Sequence, residues 1–285
     1  MTQNKSSQRP VLVTGATGMT GSRVLARLHD RGVAVRAASR SSEWKFDWSE
    51  PDTWDTVLEG AGSVYVVQND VDPRTPAFVA RAVAHGVERI VQLSARGIDQ
   101  PGYFEGMEEA SSHLRAEEAV KASGLEWTVL RPGWFAQNFD EGLLADGVRS
   151  GLLRLPTGDG AATWIDVRDI ADVAVAALTE PGHHERTYEL SGPRALTVAE
   201  ATAEIAEALA KPVRYEPVST EEYMDELLRQ GWPKEGAQEM VSALSAIRRS
   251  LETKVSPGVR EALGREPRDF SAYVARAFSG EVVRP

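Results

Sequence analysis

Short apolar runs alternate with longer stretches of helical periodicity over the first half of the chain. Residues 11–14, 33–38, 64–67, 89–94 and 127–131 read as strands, and residues 23–28, 76–85 and 108–123 as the helices between them. Gly86 and Gly124 stop two of these helices. Strands that alternate with helix-length connections predict an α/β fold, a Rossmann-like doubly wound parallel sheet with helices on both faces. Right-handed crossovers then bring the C-terminal strand ends to one edge, where ligands of such sheets bind.

Beyond Arg131 the alternation fades. Residues 163–178 read as a further helix, 187–191 as a short strand, and the composition turns helical after Gly192-Pro193. Thr197 is placed to cap a helix over 198–210, Thr220 begins another, and 240–251 and 270–278 are amphipathic. The expected organisation is a nucleotide domain over 10–192, with a cleft-forming excursion at about 134–162, and a smaller, mainly helical substrate lobe over 193–285.

The first strand runs into Gly15-Ala-Thr-Gly18-Met-Thr-Gly21 and then into a helix. Gly15 suits a tight turn, Gly18 lets the backbone approach a pyrophosphate, and Gly21 lets the helix pack close to the sheet. The phosphates are expected at the helix N-terminus, whose unpaired N–H groups and dipole favour negative charge. Thr17, Met19 and Thr20 complete this loop, and Val67 and Gln68 end a neighbouring strand on the same edge. An NAD-binding chain places an acidic residue about 20 positions beyond the last glycine. Here the second strand ends in Ser39-Arg40. A short neutral side chain followed by a guanidinium suits a 2′-phosphate, so NADP(H) is expected over NAD(H). Arg40 also fits a solvated loop cation, and two roles fit Asp47: acceptor from the adenine amine, or surface turn residue.

The chain has 285 residues, no cysteine and a formal charge of −10. Disulfides, a thiolate nucleophile and Cys-ligated zinc are excluded. His183 and His184 lack carboxylates at metal-ligand spacing, and no metal is expected. The negative charge argues against nucleic acid or an anionic membrane as partner. The first ten residues are polar and no apolar run approaches the length of a membrane span, so a cytoplasmic protein with a small-molecule substrate is expected, as a monomer or homodimer.

Several motifs together resemble the NmrA-like atypical short-chain dehydrogenase/reductases: Val13-Thr-Gly15-Ala-Thr-Gly18, Ser94-Ala-Arg-Gly97, Trp127-Thr-Val-Leu-Arg131-Pro132, Asn138, Asp166-Val-Arg-Asp169 and Tyr188-Glu-Leu-Ser-Gly192. Ala38-Ser-Arg-Ser41, Phe46-Asp-Trp48 and Trp134-Phe-Ala-Gln-Asn138-Phe139 are similar to the bacterial branch related to festuclavine-type ergot-alkaloid reductases, with quinone and azo reductases as neighbours. The resemblance implies a Rossmann fold, NADP(H) and a substrate cleft between lobes. It also implies two candidate functions: reduction of an iminium, quinone or enone, or NADP(H) sensing without turnover.

Ordinary members of the superfamily use a tyrosine and a lysine four residues later. Tyr103 is followed at that spacing by Met107, and the next helix carries His113 and Glu117 at the corresponding positions. His113 is therefore a candidate proton donor, with Glu117 on the same helical face to orient it, although a surface or ribose-contacting histidine fits equally. Ser94 is a candidate hydrogen-bonding group at a strand end. Tyr103, in a loop with Gly102 and Gly106, reads as a lid residue or a plain exposed tyrosine. Trp134, Phe135, Asn138 and Phe139 are the expected substrate-pocket residues, with core packing the alternative for the aromatics. Asp166 and Asp169 are expected to cap the helix that follows, beside Arg168.

Overall fold

Seven parallel strands form the central sheet of the computed structural model, which describes residues 9–69, 73–103 and 108–278. They are β1 (Val11–Thr14), β2 (Val35–Ser39), β3 (Trp44–Lys45), β4 (Ser63–Val67), β5 (Arg89–Leu93), β6 (Glu126–Pro132) and β7 (Arg186–Leu190). Their spatial order is β3-β2-β1-β4-β5-β6-β7, so the winding reverses between β1 and β4. Four helices cross over among the first six strands: α1 (Met19–Asp30), α2 (Asp52–Leu58), α3 (Thr75–Ala84) and α4 (Glu108–Lys121).

Successive strand residues point to opposite faces, and both faces are covered. Leu12, Val64, Val66, Ile90 and Val129 pack with Trp54, Val57, Phe78, Val79 and Val120 of α2, α3 and α4. Val13, Tyr65, Val91 and Leu130 pack on the other face with Val24 and Leu28 of α1 and with the helix Val167–Thr179. Burial on both faces explains why these strands read as continuous apolar runs rather than alternating ones.

The second core joins residues from the 134–164 segment, among them Phe139, Leu153 and Trp164, to Ile205, Leu227, Leu244 and Phe270 of the tail. Two small sheets tie these parts together: Leu152–Leu155 pairs in parallel with Arg214–Pro217, and Ala161–Ala162 pairs antiparallel with Leu196–Thr197. Thr197 and Glu200 form a reciprocal capping box at the start of Val198–Leu209, and Ser219 and Glu222 form another at Thr220–Arg229.

Several elements escaped the periodicity, among them β3, α2, the helices Ala145–Ser150 and Gly258–Leu263 and the strands of the two small sheets. Each is too short to show a clear repeat. Gly258–Leu263 leaves the tail to pack against Val167–Thr179 and β7, with Val259 buried there. Asp166 caps Val167–Thr179 as expected, accepting from the Arg168 amide, but Asp169 does something else. Fully buried, it accepts from the guanidinium groups of Arg265 and Arg268 and from the Arg268 amide, and so anchors the returning tail. No helix among the described residues is long and apolar enough to cross a membrane.

Candidate active site

Two clefts lie side by side at the C-terminal edge of the sheet. The first, of about 430 Å³, is lined by Gly15, Thr17, Gly18, Ser39, Arg40, Asp47, Val67 and Gln68, with Phe46 and Trp48. It sits where the strand order reverses, the usual position for a nucleotide in a doubly wound sheet. Gly18 is the N-cap of α1, no side chain caps that helix, and its first turn carries no acidic residue. The N-terminus is thus left open to an anion. A Cβ on Gly21 would stand 2.2 Å from the Gly15 carbonyl oxygen, so only glycine allows α1 this close to the turn. Thr20 and Gly21 are buried behind the loop, and Met19 turns toward the second cleft.

Arg40 is exposed at the rim of the first cleft. The Ser39 hydroxyl accepts from the Ser41 amide, folding the strand end beneath it. Asp47 is a turn residue at the edge of the cleft. Its carboxylate accepts from the amide and hydroxyl of Ser49 in a local turn, and the residue also lines the cleft. The hydrogen bonds from Ser49 hold its carboxyl below the usual carboxylate range. Trp48 and Phe46 are fixed edge-to-face with one another and with Phe78, giving that end of the cleft a rigid aromatic wall. An open helix N-terminus and a rigid aromatic wall are the chemistry that a dinucleotide phosphate and base call for.

The second cleft, about 290 Å³, is lined by Met19, Ser94, Ala95, Arg96, Pro132 and Gly133, with Trp134, Phe135, Asn138 and Glu252. Trp134, Phe135 and Asn138 line this cleft. Phe139 does not: it is fully buried, edge-to-face with Trp164 and Phe270, because the 3-10 turn Ala136–Phe139 directs it into the core of the lobe.

Beneath this cleft runs a buried polar network. The Ser94 hydroxyl donates to Glu117 at 2.7 Å, and Arg131 holds the same carboxylate with two bonds of 2.8 Å. Lys121, one helical turn on, donates to its second oxygen. Burial pushes the Glu117 carboxyl up, but the bonds from Arg131, Lys121 and Ser94 outweigh it and the net shift is downward. Glu117 is therefore committed to Ser94 and Arg131 rather than to orienting His113. His113 is half-buried on α4 and lines neither cleft.

Tyr103 corrects a second expectation. It is 2 % exposed, not a surface or lid residue, and its hydroxyl donates to Glu252, which is 3 % exposed. Gly106 and Met107 lie outside the described residues. Glu252 also faces Arg96, whose Nη1 is 3.5 Å from Oε2. The Glu252 main chain is pinned by Thr163, whose amide and hydroxyl both donate to its carbonyl oxygen at 3.0 Å. Burial raises both groups: the Glu252 carboxyl lies above its ordinary range, and the Tyr103 phenol is pushed far up.

A family profile described as NAD(P)H-binding matches residues 15–181. The chain belongs to this NAD(P)H-binding family. The NAD(P)H-binding chain is 34% identical to a (4-alkanoyl-5-oxo-2,5-dihydrofuran-3-yl)methyl phosphate reductase of Streptomyces griseus, over 95% of this chain and 100% of the relative. It is 31% identical to festuclavine synthase II of Penicillium roqueforti, over 91% and 95% of the two chains. In fold it is similar to an NADPH-dependent quinone oxidoreductase of Escherichia coli, with a TM-score of 0.75 and 21% identity over 93% of this chain and 98% of that one.

Four charged groups of the NAD(P)H-binding protein's second cleft were not assigned to it from the sequence: Arg96 and Glu252 line it, and Glu117 and Arg131 form the pair beneath. Arg96 and Glu252 lie more than 150 positions apart in the chain. Nothing local marks Glu252, which follows a helix end in a polar stretch. Among the described residues no cluster of metal-ligating side chains occurs, and His183 instead bonds Tyr188 through Nδ1 at 2.9 Å.

Proposed function

We propose that this protein is an NADPH-dependent reductase that transfers hydride to a conjugated or cationic small molecule. The observation that carries the reading is the pairing of the two clefts. An anion-ready glycine turn with Arg40 at its rim lies beside an aromatic cleft whose floor is the Ser94–Glu117–Arg131 network. In such an enzyme the bound nicotinamide supplies hydride, while the protein positions the acceptor and excludes water. Gly15, Thr17, Gly18, Ser39, Arg40, Asp47, Val67 and Gln68 would hold the dinucleotide, and Arg40 would supply the preference for a 2′-phosphate.

The relatives support a conjugated acceptor. One is named for an oxo-dihydrofuran, an unsaturated ring carbonyl, and another for a quinone. In the second cleft Ser94 has its hydrogen engaged with Glu117, so its oxygen is free to accept from a ribose hydroxyl or a substrate N–H.

NADPH oxidation against a panel of quinones, cyclic enones, imines and azo dyes, with NADH in parallel, tests the proposal. Turnover of one class with NADPH preferred is the expected result. The loss of the usual tyrosine–lysine pair favours the second reading, an NADP(H) sensor, and tight NADPH binding with no turnover across the panel would decide for it.

A further inference from the structure

The second cleft has an aromatic wall, a hydride donor's seat beside it and few groups able to supply a proton. Ser94 has its hydrogen committed to a carboxylate. Arginine does not deprotonate in proteins, which removes Arg96. Trp134, Phe135, Met19, Ala95, Pro132 and Asn138 carry no titrating group in the working range. Of the described residues lining this cleft, Glu252 alone is a carboxyl group.

Its two oxygens have different surroundings. Oε1 accepts from the Tyr103 hydroxyl. Oε2 is buried with no hydrogen-bond partner among the described residues, and its nearest opposite charge is the Arg96 guanidinium at 3.5 Å. A buried polar atom without a partner costs about 1–3 kcal/mol, so this arrangement is poor for folding alone. The orphaned oxygen faces Gly133 in the cleft wall: a Cβ on Gly133 would come within 3.0 Å of it. Gly133 has no side chain to come between Oε2 and the cleft.

We infer that Glu252 is the proton donor of the reaction, delivering a proton from Oε2 to the carbonyl oxygen of a neutral conjugated carbonyl compound, an enone or a quinone, seated against Gly133. The inference rests on the reductase reading above and narrows its substrate class. For an enone, hydride forms a new C–H bond at the electrophilic carbon, the C=C electron pair moves toward the carbonyl, and the carbonyl oxygen takes the proton as the Glu252 O–H bond breaks. The substrate is reduced to its enol, the reduced nicotinamide is oxidised, and Glu252 is left as a carboxylate. Arg96 and the Tyr103 hydroxyl are already placed to stabilise that carboxylate. An iminium ion accepts hydride with no proton and has no use for the device.

Tyr103 is a positioning residue in this scheme, acting through Oε1. The charged and titratable groups around Glu252 are Arg96 and Tyr103 from the loop after β5, and Glu189 from β7. Burial raises the carboxyl, Tyr103 and Arg96 pull it back, and Glu189 adds to the rise, with a net upward shift.

The test compares wild type, Glu252→Gln and Gly133→Ala in NADPH-dependent reduction of a naphthoquinone, a cyclic enone and a preformed iminium salt across pH. Expected for wild type is enone and quinone turnover that is present at low pH and falls as pH rises through the Glu252 value. In Glu252→Gln, kcat for these probes drops about 100-fold or more and loses that pH dependence, while iminium reduction stays within a few-fold. Gly133→Ala, which covers Oε2 with a methyl group, lowers the same two activities. Infrared difference spectra of the protein without ligands should show a carboxyl band that survives above the ordinary glutamate range and is missing in Glu252→Gln. A carboxyl titrating in the ordinary range overturns the assignment, as does an equal loss on all three probes. A pH profile kept by Glu252→Gln and abolished by His113→Asn overturns it in favour of His113. Absence of turnover by wild type on every probe overturns the reductase reading itself.

Discussion

Replacing Arg131 with methionine removes the cation that holds Glu117 while keeping much of the side-chain volume. Glu117 is 1 % exposed and Arg131 7 %, and two bonds of 2.8 Å join them. Breaking a buried ion pair from one side costs about 3–5 kcal/mol, because the remaining charge is left in a poor solvent. Lys121 still reaches Glu117 at 2.8 Å, which places the expected loss near the lower end, about 3 kcal/mol. For a protein of this size that is roughly 6–12 °C in Tm. Urea unfolding, followed by circular dichroism, reads the loss directly. The pH dependence gives a sharper check. The folded Glu117 carboxyl lies below its unfolded value, so the pair's contribution is fully present above the unfolded value of about 4.5 and is lost as pH falls through the folded one. Protonated Glu117 needs no cation. The gap between wild type and Arg131→Met should therefore be largest at neutral pH and shrink on acidification. Adding Glu117→Gln should restore more than half of the lost stability at neutral pH. A loss of the same size at all pH values, or a double variant no better than the single, would falsify the claim that this is a coupled buried pair.

Arg40→Ala should weaken NADPH binding by about 10- to 100-fold, corresponding to loss of a charge-assisted hydrogen bond, and leave NADH nearly unchanged; isothermal titration with both cofactors checks this, and an equal loss for both would reassign the 2′-phosphate. Gly21→Ala gains about 1 kcal/mol in helix propensity but forces a methyl group to 2.2 Å from the Gly15 oxygen, so α1 must shift. The net expectation is a loss of roughly 1–3 kcal/mol in stability and of binding to both cofactors, read by thermal melts and titration. Glu252 gives the opposite pH signature to Glu117. Its folded carboxyl is raised above the unfolded value, so wild-type stability should fall between those two pH values, and Glu252→Gln should be flat across the same interval.

Much of the framework was legible in the chain itself. Apolar runs at Val11–Thr14 and Ser63–Val67, the spacing of Gly15, Gly18 and Gly21, the Ser39-Arg40 strand end and the Thr197 cap are all local patterns. Backbone geometry forces them: a strand buried on both faces must be apolar, and a tight strand-to-helix turn must lack side chains. Most of the first cleft's lining was therefore readable, but Met19 and Ser94 face the second cleft, and Thr20 and Gly21 are buried behind the loop. Short elements such as α2 and Gly258–Leu263 were not, because too few turns exist to show a period.

The second cleft was decided by tertiary structure. Trp134 and Phe139 lie close together in sequence and carry the same kind of side chain, yet one lines the cleft and the other is buried against Trp164 and Phe270. Glu117 was placed beside His113 by helical spacing, but its carboxylate is taken by Arg131 and Ser94 from adjacent strand ends. Tyr103 looked exposed because its neighbours are glycines, and it is buried because the chain returns at Glu252 to cover it. Periodicity fixes which face of a helix or strand a residue occupies. What stands opposite that face depends on segments far away in sequence, and with it the burial, pairing and protonation of every charged group in the cleft.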